Sequence, residues 1–472
     1  MATETYMPVR LTTQLVSSVP LAIVLALCAE SVLAADHRIS SQASSFDCSN
    51  VAPGDTITLV SGARGPLTIQ SCDGQTSKPI VIRNDSSGNG PVVLAKSSGG
   101  SGGFVLACTD CVGVVIDGSA KWSGAPAAKS YGIKITMTGN YAPSAFLMVN
   151  GLSRFVTIRG VEIDGAWPRS ATNGIGIHIK DATKLATDYP GLWREGLLLE
   201  ENYVHNVEGE GIYVGPNWKQ QEILLKNVVI RNNVVEDTGW DGIQLKGAVE
   251  GTNLIHHNVV RRTGQRAGTE AGQRHGISLY EGNGKIFANW VESSGESGIQ
   301  HYLHFMPSSY PVQNSEIFNN VVVDTGLVGP LKGYGITVGN QDGYARPFTS
   351  VYNNTIVRSQ SSGVLVSSTA AGGIVRDNVI ADAGAAPISS SSAIAKVNNR
   401  SGSIADMGFV DPTRKDFRLR ESSPAVDSGT NGAPPDDIDG NKRPAGATAD
   451  QGAYEFIGAT EKKPEPPVIE VT

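Results

Sequence analysis

The sequence predicts an all-β chain wound into a single-stranded parallel β-helix, and three observations carry that expectation. An asparagine followed by apolar residues returns seven times, at Asn202, Asn233, Asn258, Asn289, Asn320, Asn354 and Asn378, with gaps of 31, 25, 31, 31, 34 and 24 residues. A Gly-Ile or Gly-Val strand follows at a fixed offset, nine residues on, at Gly211, Gly242, Gly298 and Gly363. The segments between show the period of strands and none of helices, which is the mark of a stacked solenoid. Asn258 to Gly276 and Asn320 to Gly335 are longer, so loops enter the coil at 263–274 and 325–334.

Each element has a physical reason. An Asn at the same turn of every coil tolerates unusual backbone angles, and its amide can bond to the Asn above and below, an Asn ladder. In the Gly-Ile strands the first and third positions are apolar (Ile243 and Leu245, Ile277 and Leu279) and point inward, so the second and fourth point out. Residues 46–96 read as opening coils, 97–170 as irregular ones, and 401–458 as a C-terminal β cap over the last coil. Asp436-Asp437-Ile438-Asp439-Gly440-Asn441 has an incomplete calcium-loop pattern and reads as a structural turn. The tail 459–472 is rich in Lys, Glu and Pro and reads as disordered.

At the other end, residues 1–34 read as a signal peptide: Arg10, the apolar run Val19–Cys28, then Ser31-Val32-Leu33-Ala34. The run is too short for a comfortable membrane span, so the expectation is a secreted or periplasmic protein. Cleavage there moves the formal charge from −7 to −6, which offers no global attraction to nucleic acid or to an anionic membrane. Nothing in the sequence points to an oligomer. Four cysteines remain, most simply paired as Cys48–Cys72 and Cys108–Cys111, although the latter CxxC could also serve redox or metal chemistry.

Stacking the Gly-Ile strands lines up three outward columns. Before the glycine stand Glu210, Asp241, His275, Ser297, Tyr334 and Ser362; two past it, Tyr213, Gln244, Ser278, Gln300, Thr337 and Leu365; four past it, Gly215, Lys246, Tyr280, Tyr302, Gly339 and Ser367. His178 and Lys180 join them one coil earlier. Polar and titratable groups thus crowd the coils from 178 to 302 and fade by 337, a gradient that a spacer has no need for. The set suits β-elimination from a uronic acid, which needs a base at C5, a cation on the carboxylate and a proton for the leaving oxygen. Lys246 is the expected base and Tyr280 the acid, with Tyr302 as substitute. His275 and Arg274 are expected beside them, to share the base role or grip the carboxylate. Substrate contacts are expected from His178, Lys180, Tyr213, Gln244, Gln300 and Trp240. Each also has a plain reading: a solvated lysine, an aromatic stripe that packs a loop, a tryptophan that anchors one. His301 falls at an inward position.

The turn and strand Pro53-Gly54-Asp55-Thr56-Ile57-Thr58-Leu59, the turn after it and the strand Pro79–Arg83 resemble the start of secreted right-handed β-helix polysaccharide lyases, the pectin lyase-like group that includes chondroitinase B and many alginate lyases. The right hand of the coil is implied by that resemblance. In the chondroitinase B-like family an acidic calcium ligand precedes the catalytic lysine by five residues, a spacing that Asp241 and Lys246 keep. The family's arginine in the next coil is replaced by Tyr280, and its Glu-x-Glu calcium pair is absent, Gly239 standing where the first acid would be. Glu208 and Glu210 are the substitute oxygen ligands, with Asp241, for a possible Ca2+. The resemblance implies a lyase for an acidic polysaccharide, such as alginate or a bacterial exopolysaccharide. The alternatives are a polygalacturonase-type hydrolase using Glu210 and Asp241, a uronate epimerase, and a non-catalytic glycan-binding β-helix.

Overall fold

In the computed structural model residues 34–458 are described, except 98–101, 127–128, 140, 142, 168–173, 182, 217–221, 267–271, 304–313, 329–332, 341–348, 368–372 and 391–393. The expected signal peptide (apart from Ala34), the tail and the centres of both inserted loops lie outside the described residues. The rest of the chain winds as expected, as a parallel β-helix. Three long sheets run its length, of 14, 12 and 12 strands, and each strand pairs in parallel with the equivalent strands of neighbouring coils. The first sheet runs from Asp36–Ile39 to Ala395–Val397, and the second from Gly62–Arg64 to Arg400–Gly402. The third, here the site sheet, runs from Ser45–Asp47 to Ile388–Ser390.

The inward positions stack on their own kind: Ile212, Ile243, Ile277, Ile299, Ile336 and Val364 are all fully buried. Coil-on-coil register, not sequence proximity, makes them neighbours. The glycine ahead of each strand is explained here. A Cβ on Gly242 would fall 2.4 Å from Val260 Cγ1 and 2.6 Å from the Gly276 carbonyl oxygen, because the chain bends into the core there. Any larger residue would force the two sheets apart.

The asparagine ladder is present and has one rung more than expected. Each amide donates to the next asparagine's Oδ1, from Asn202 through to Asn399, at 2.8–3.0 Å. The same Oδ1 accepts the preceding rung's backbone N–H at 3.0–3.1 Å. The unusual backbone angle is not on the asparagine, however. The left-handed step falls one residue earlier, on Glu201, Asn232, His257, Ala288, Asn319, Asn353, Asp377 and Asn398. Even an alanine is held there, at a local cost of about 1–2 kcal/mol that the ladder offsets.

Both disulfides form, Cys48–Cys72 and Cys108–Cys111. His301 lies inside the coil, bonded to Thr349 Oγ1 (2.6 Å) and the Gly282 carbonyl (2.9 Å), as its inward position requires. Asp437 closes the Asp436–Asn441 segment as a turn, accepting the backbone N–H of Asp439, Asn441 and Glu455.

The C-terminal segment differs from the expected end cap. It folds back along the outer face of the second sheet, packing Met407, Phe409, Phe417 and Tyr454 against Trp290, Val321, Val357 and Val379. Its anchors reach several coils, from Lys415 on Asp324 (3.7 Å) to Gln451 on the Asn398 carbonyl (2.6 Å). The final strand Ala395–Val397 stays exposed. The physical reason is the second sheet's outer face: its valines and Trp290 are apolar there and need covering more than the last coil does.

Replacing a mid-ladder asparagine, Asn289→Ala, should lower stability by roughly 2–4 kcal/mol, because it strands buried donors on Asn258 and buried carbonyls at Ile255 and Phe287. Asn399→Ala, at the exposed end, should cost much less. Calorimetric melting of both variants checks this, and equal losses would deny the ladder its role.

Candidate functional site

Pairing in the site sheet sets Lys246 beside Tyr280 and Tyr280 beside Tyr302 on consecutive coils. Leu245, Leu279 and His301 point inward, which turns these three side chains out. Lys246 Nζ lies 4.9 Å from the centre of the Tyr280 ring, and the Tyr280 and Tyr302 rings stack at 5.6 Å. Lys180 follows the strand Ile175–Ile179 in the same column, with Gly215 on the coil between them. Both lysines are 7 % exposed. Burial lowers the pKa of each. Lys246 also meets Glu281 Oε2 at 3.6 Å, and that carboxylate opposes the shift.

Beside this column run the residues two past the glycine: His178, Tyr213, Gln244, Ser278 and Gln300, in register. His178 stacks on Tyr213 at 5.0 Å, and burial holds its imidazole neutral, with a pKa of about 3. The Tyr213 hydroxyl donates to the Pro216 carbonyl (2.9 Å). Ser278 Oγ lies 3.4 Å from Gln300 Oε1, while Gln244 Oε1 is buried without a hydrogen-bond partner.

The third group is separate. His275 and Arg274 do not join Lys246 and Tyr280: five residues of strand, about 16 Å, lie between His275 and Tyr280. His275 sits instead with Asp241, whose Oδ1 accepts the His275 backbone N–H (2.7 Å), and with Glu296 Oε2, 3.5 Å from its Nε2. Arg274 donates to the Val328 carbonyl (3.2 Å) and ties the two inserted loops together. Burial pushes the Glu210 carboxyl up to about 7 and Asp241 well above the carboxylate range, and holds His275 down at about 4. Glu210 Oε2, Asp241 Oδ2 and both His275 ring nitrogens lack hydrogen-bond partners.

The expected calcium set is not assembled. Glu208 is paired with Arg266 (3.1 Å), and the Arg266 guanidinium lies 5.9 Å over Trp240, so both residues anchor a loop. Among the described residues no three His, Cys, Asp or Glu side chains, Asp241, Glu210 and Glu208 included, form a group that could hold a metal ion.

Four acidic or polar residues of the site escaped sequence reasoning: Ser278 as more than a column member, and Glu222, Glu281 and Glu296 altogether. Glu281 falls at an inward position by alternation. Its backbone is left-handed (φ 51°), which ends the strand and swings the carboxylate outward. Glu222 lies off the site sheet, and no repeat marks it.

Residues 145–346 match the family described as right handed beta helix region, in keeping with the coil seen here. No curated protein sequence matches the chain. Three solved structures illustrate the likeness. A Paenibacillus alginate lyase is 18% identical over 78% of this chain and 99% of its own, with a TM-score of 0.41. The A-module of an Azotobacter vinelandii mannuronan C-5 epimerase is 14% identical over 74% and 91%, at 0.38. A Eubacterium ramulus lacto-N-biosidase is 10% identical over 78% and 68%, at 0.45. At these identities the likeness is one of fold.

The buried acid row has a consequence for stability. The native state holds the Glu210 proton to about pH 7 where the unfolded chain releases it near 4.5, so stability falls as pH rises through that window. Glu210→Gln removes the loss. Its stability relative to the wild type should therefore rise between pH 5 and 7, by on the order of 3 kcal/mol. The opposite contribution of His275 is common to both proteins and drops out of the difference. Melting curves across that range check it, and curves that stay parallel would show Glu210 to be ionised.

Proposed function

We propose that the protein is an exported enzyme that cleaves a uronate-containing polysaccharide by β-elimination. The observation that carries this reading is the column Lys180, Lys246, Tyr280 and Tyr302, where a buried amine lies against a phenol on the next coil. Burial brings the neutral form of Lys246 closer to working pH, as a base requires. Lys246 Nζ takes the C5 proton; the C–H electrons form the C4–C5 double bond and expel O4. The Tyr280 hydroxyl gives O4 its proton, and the phenolate is reprotonated from solvent. Lys180 supplies the charge that steadies the uronate carboxylate, with Gln244, Ser278 and Gln300 offering hydrogen bonds to the neighbouring sugar. Tyr302 backs the Tyr280 ring. Calcium enters at no step. The five-residue spacing that resembles chondroitinase B-like lyases puts Asp241 and Lys246 at opposite ends of one strand.

Hydrolysis by Glu210 and Asp241 has one observation in its favour, two carboxyls on adjacent coils. Burial raises both, which provides a proton donor but, below about pH 7, leaves no fully ionised carboxylate beside it. A glycosidase needs one of each. Elimination is therefore preferred. An epimerase would use the Lys246–Tyr280 pair but return the proton to C5 and leave the chain uncut.

Incubation with a panel of acidic polysaccharides should raise ultraviolet absorbance, from the unsaturated uronate formed at each new end. Lys246→Met and Tyr280→Phe should each reduce the rate about 100-fold or more, with melting temperatures preserved. New reducing ends without absorbance would replace elimination by hydrolysis. Epimerised but uncut polymer would point to the third chemistry.

A further inference from the structure

We infer that Glu281 is the positioning residue of Lys246: from the next coil, its carboxylate fixes the ammonium against the Tyr280 ring and sets the pH at which the amine becomes a base. This rests on the elimination reading. The geometry is specific. Lys246 and Tyr280 are register partners, and Glu281 follows Tyr280 at the end of its strand. Its backbone N–H is fixed to the Tyr302 carbonyl (2.9 Å), and its left-handed φ of 51° turns the side chain back toward the preceding coil. There Glu281 Oε2 meets Lys246 Nζ at 3.6 Å, with side-chain exposures of 16% and 9%. Ion pairs in open solvent constrain little. This one is mostly removed from water.

Among the described residues the charges facing the pair are few. Lys180 lies two coils before Lys246, and Glu222 is the charge that acts most on Lys180, so each lysine has a carboxylate of its own. Tyr213 and Tyr280 are the neighbouring phenols, and Glu281 reaches Tyr213 electrostatically. Burial drives Lys246 down and Glu281 up, and each holds the other's charge against that pressure. Among the described residues, losing the Glu281 carboxylate leaves burial and Lys180 to act on Lys246, with Glu222 opposing them. The lysine then loses its proton at lower pH.

Two variants test this. Glu281→Gln keeps the shape and removes the charge; Glu281→Asp keeps the charge and shortens the reach. In the pH profile of kcat/KM for polysaccharide cleavage, Glu281→Gln should move the acidic limb down by about one unit or more. Glu281→Asp should leave the limb in place and lower kcat. A uniform fall in rate with an unmoved limb in Glu281→Gln would make Glu281 merely structural and overturn the inference. A second readout is free of the reaction itself: the pH midpoint for acylation of Lys246 by an amine-reactive reagent, followed by peptide mass spectrometry. It should fall in Glu281→Gln, and an unchanged midpoint would overturn the inference. If no polysaccharide is cleaved, the elimination reading fails, and the acylation midpoint alone decides whether Glu281 controls Lys246.

Discussion

Everything in this protein depends on parallel strand pairing between consecutive coils. That pairing sets equivalent residues side by side, about 4.8 Å apart, however many residues separate them in the chain. The core, the asparagine ladder and the site are three expressions of one constraint. Ile243 packs on Ile277, Asn258 bonds to Asn289, and Lys246 lies against Tyr280 for the same reason. Loops can lengthen between coils without disturbing this, because the register is restored by the next ladder rung.

Repetition also explains where the site can be. Inward positions have no freedom, since each must fit the stack above and below. Outward positions on the site sheet do, and a run of coils there departs from the repeat with lysines, tyrosines and acids. From Trp290 onward the second sheet's outer face binds the C-terminal segment. The first sheet's outer face carries a ladder of rings from His256 through Phe287 and Phe318 to Tyr352. Those rings stack on one another at 4.7–5.1 Å, so their faces are already occupied.

Desolvation then gives the site its character. Two lysines, several carboxyls and two histidines are held in surroundings that disfavour charge, and each group responds according to its partner. Where a counter-ion is at hand, as for Lys246 and Glu281, charge is partly retained. Where it is weak, as for Glu210 and Asp241, or itself raised by burial, as Glu296 beside His275, burial favours the neutral form. Two strand ends of one sheet thereby acquire opposite properties: a paired, polarised end, and a neutral, hydrogen-bond-starved one.

The sequence alone determined the repeat, the inward stack, the ladder from Asn202 to Asn378 and the Lys246–Tyr280–Tyr302 column. All of these follow from counting residues along a repeat whose alternation is regular. It misjudged what depends on breaks in that regularity. The left-handed steps sit beside the asparagines instead of on them. The C-terminal segment covers a sheet face in place of the last coil. Glu281 is outward because its backbone turns, and His275 keeps company with Asp241 because a strand holds its two ends far apart. Only the tertiary structure decides these, since burial, local turns and partners from distant coils are not properties of any one repeat.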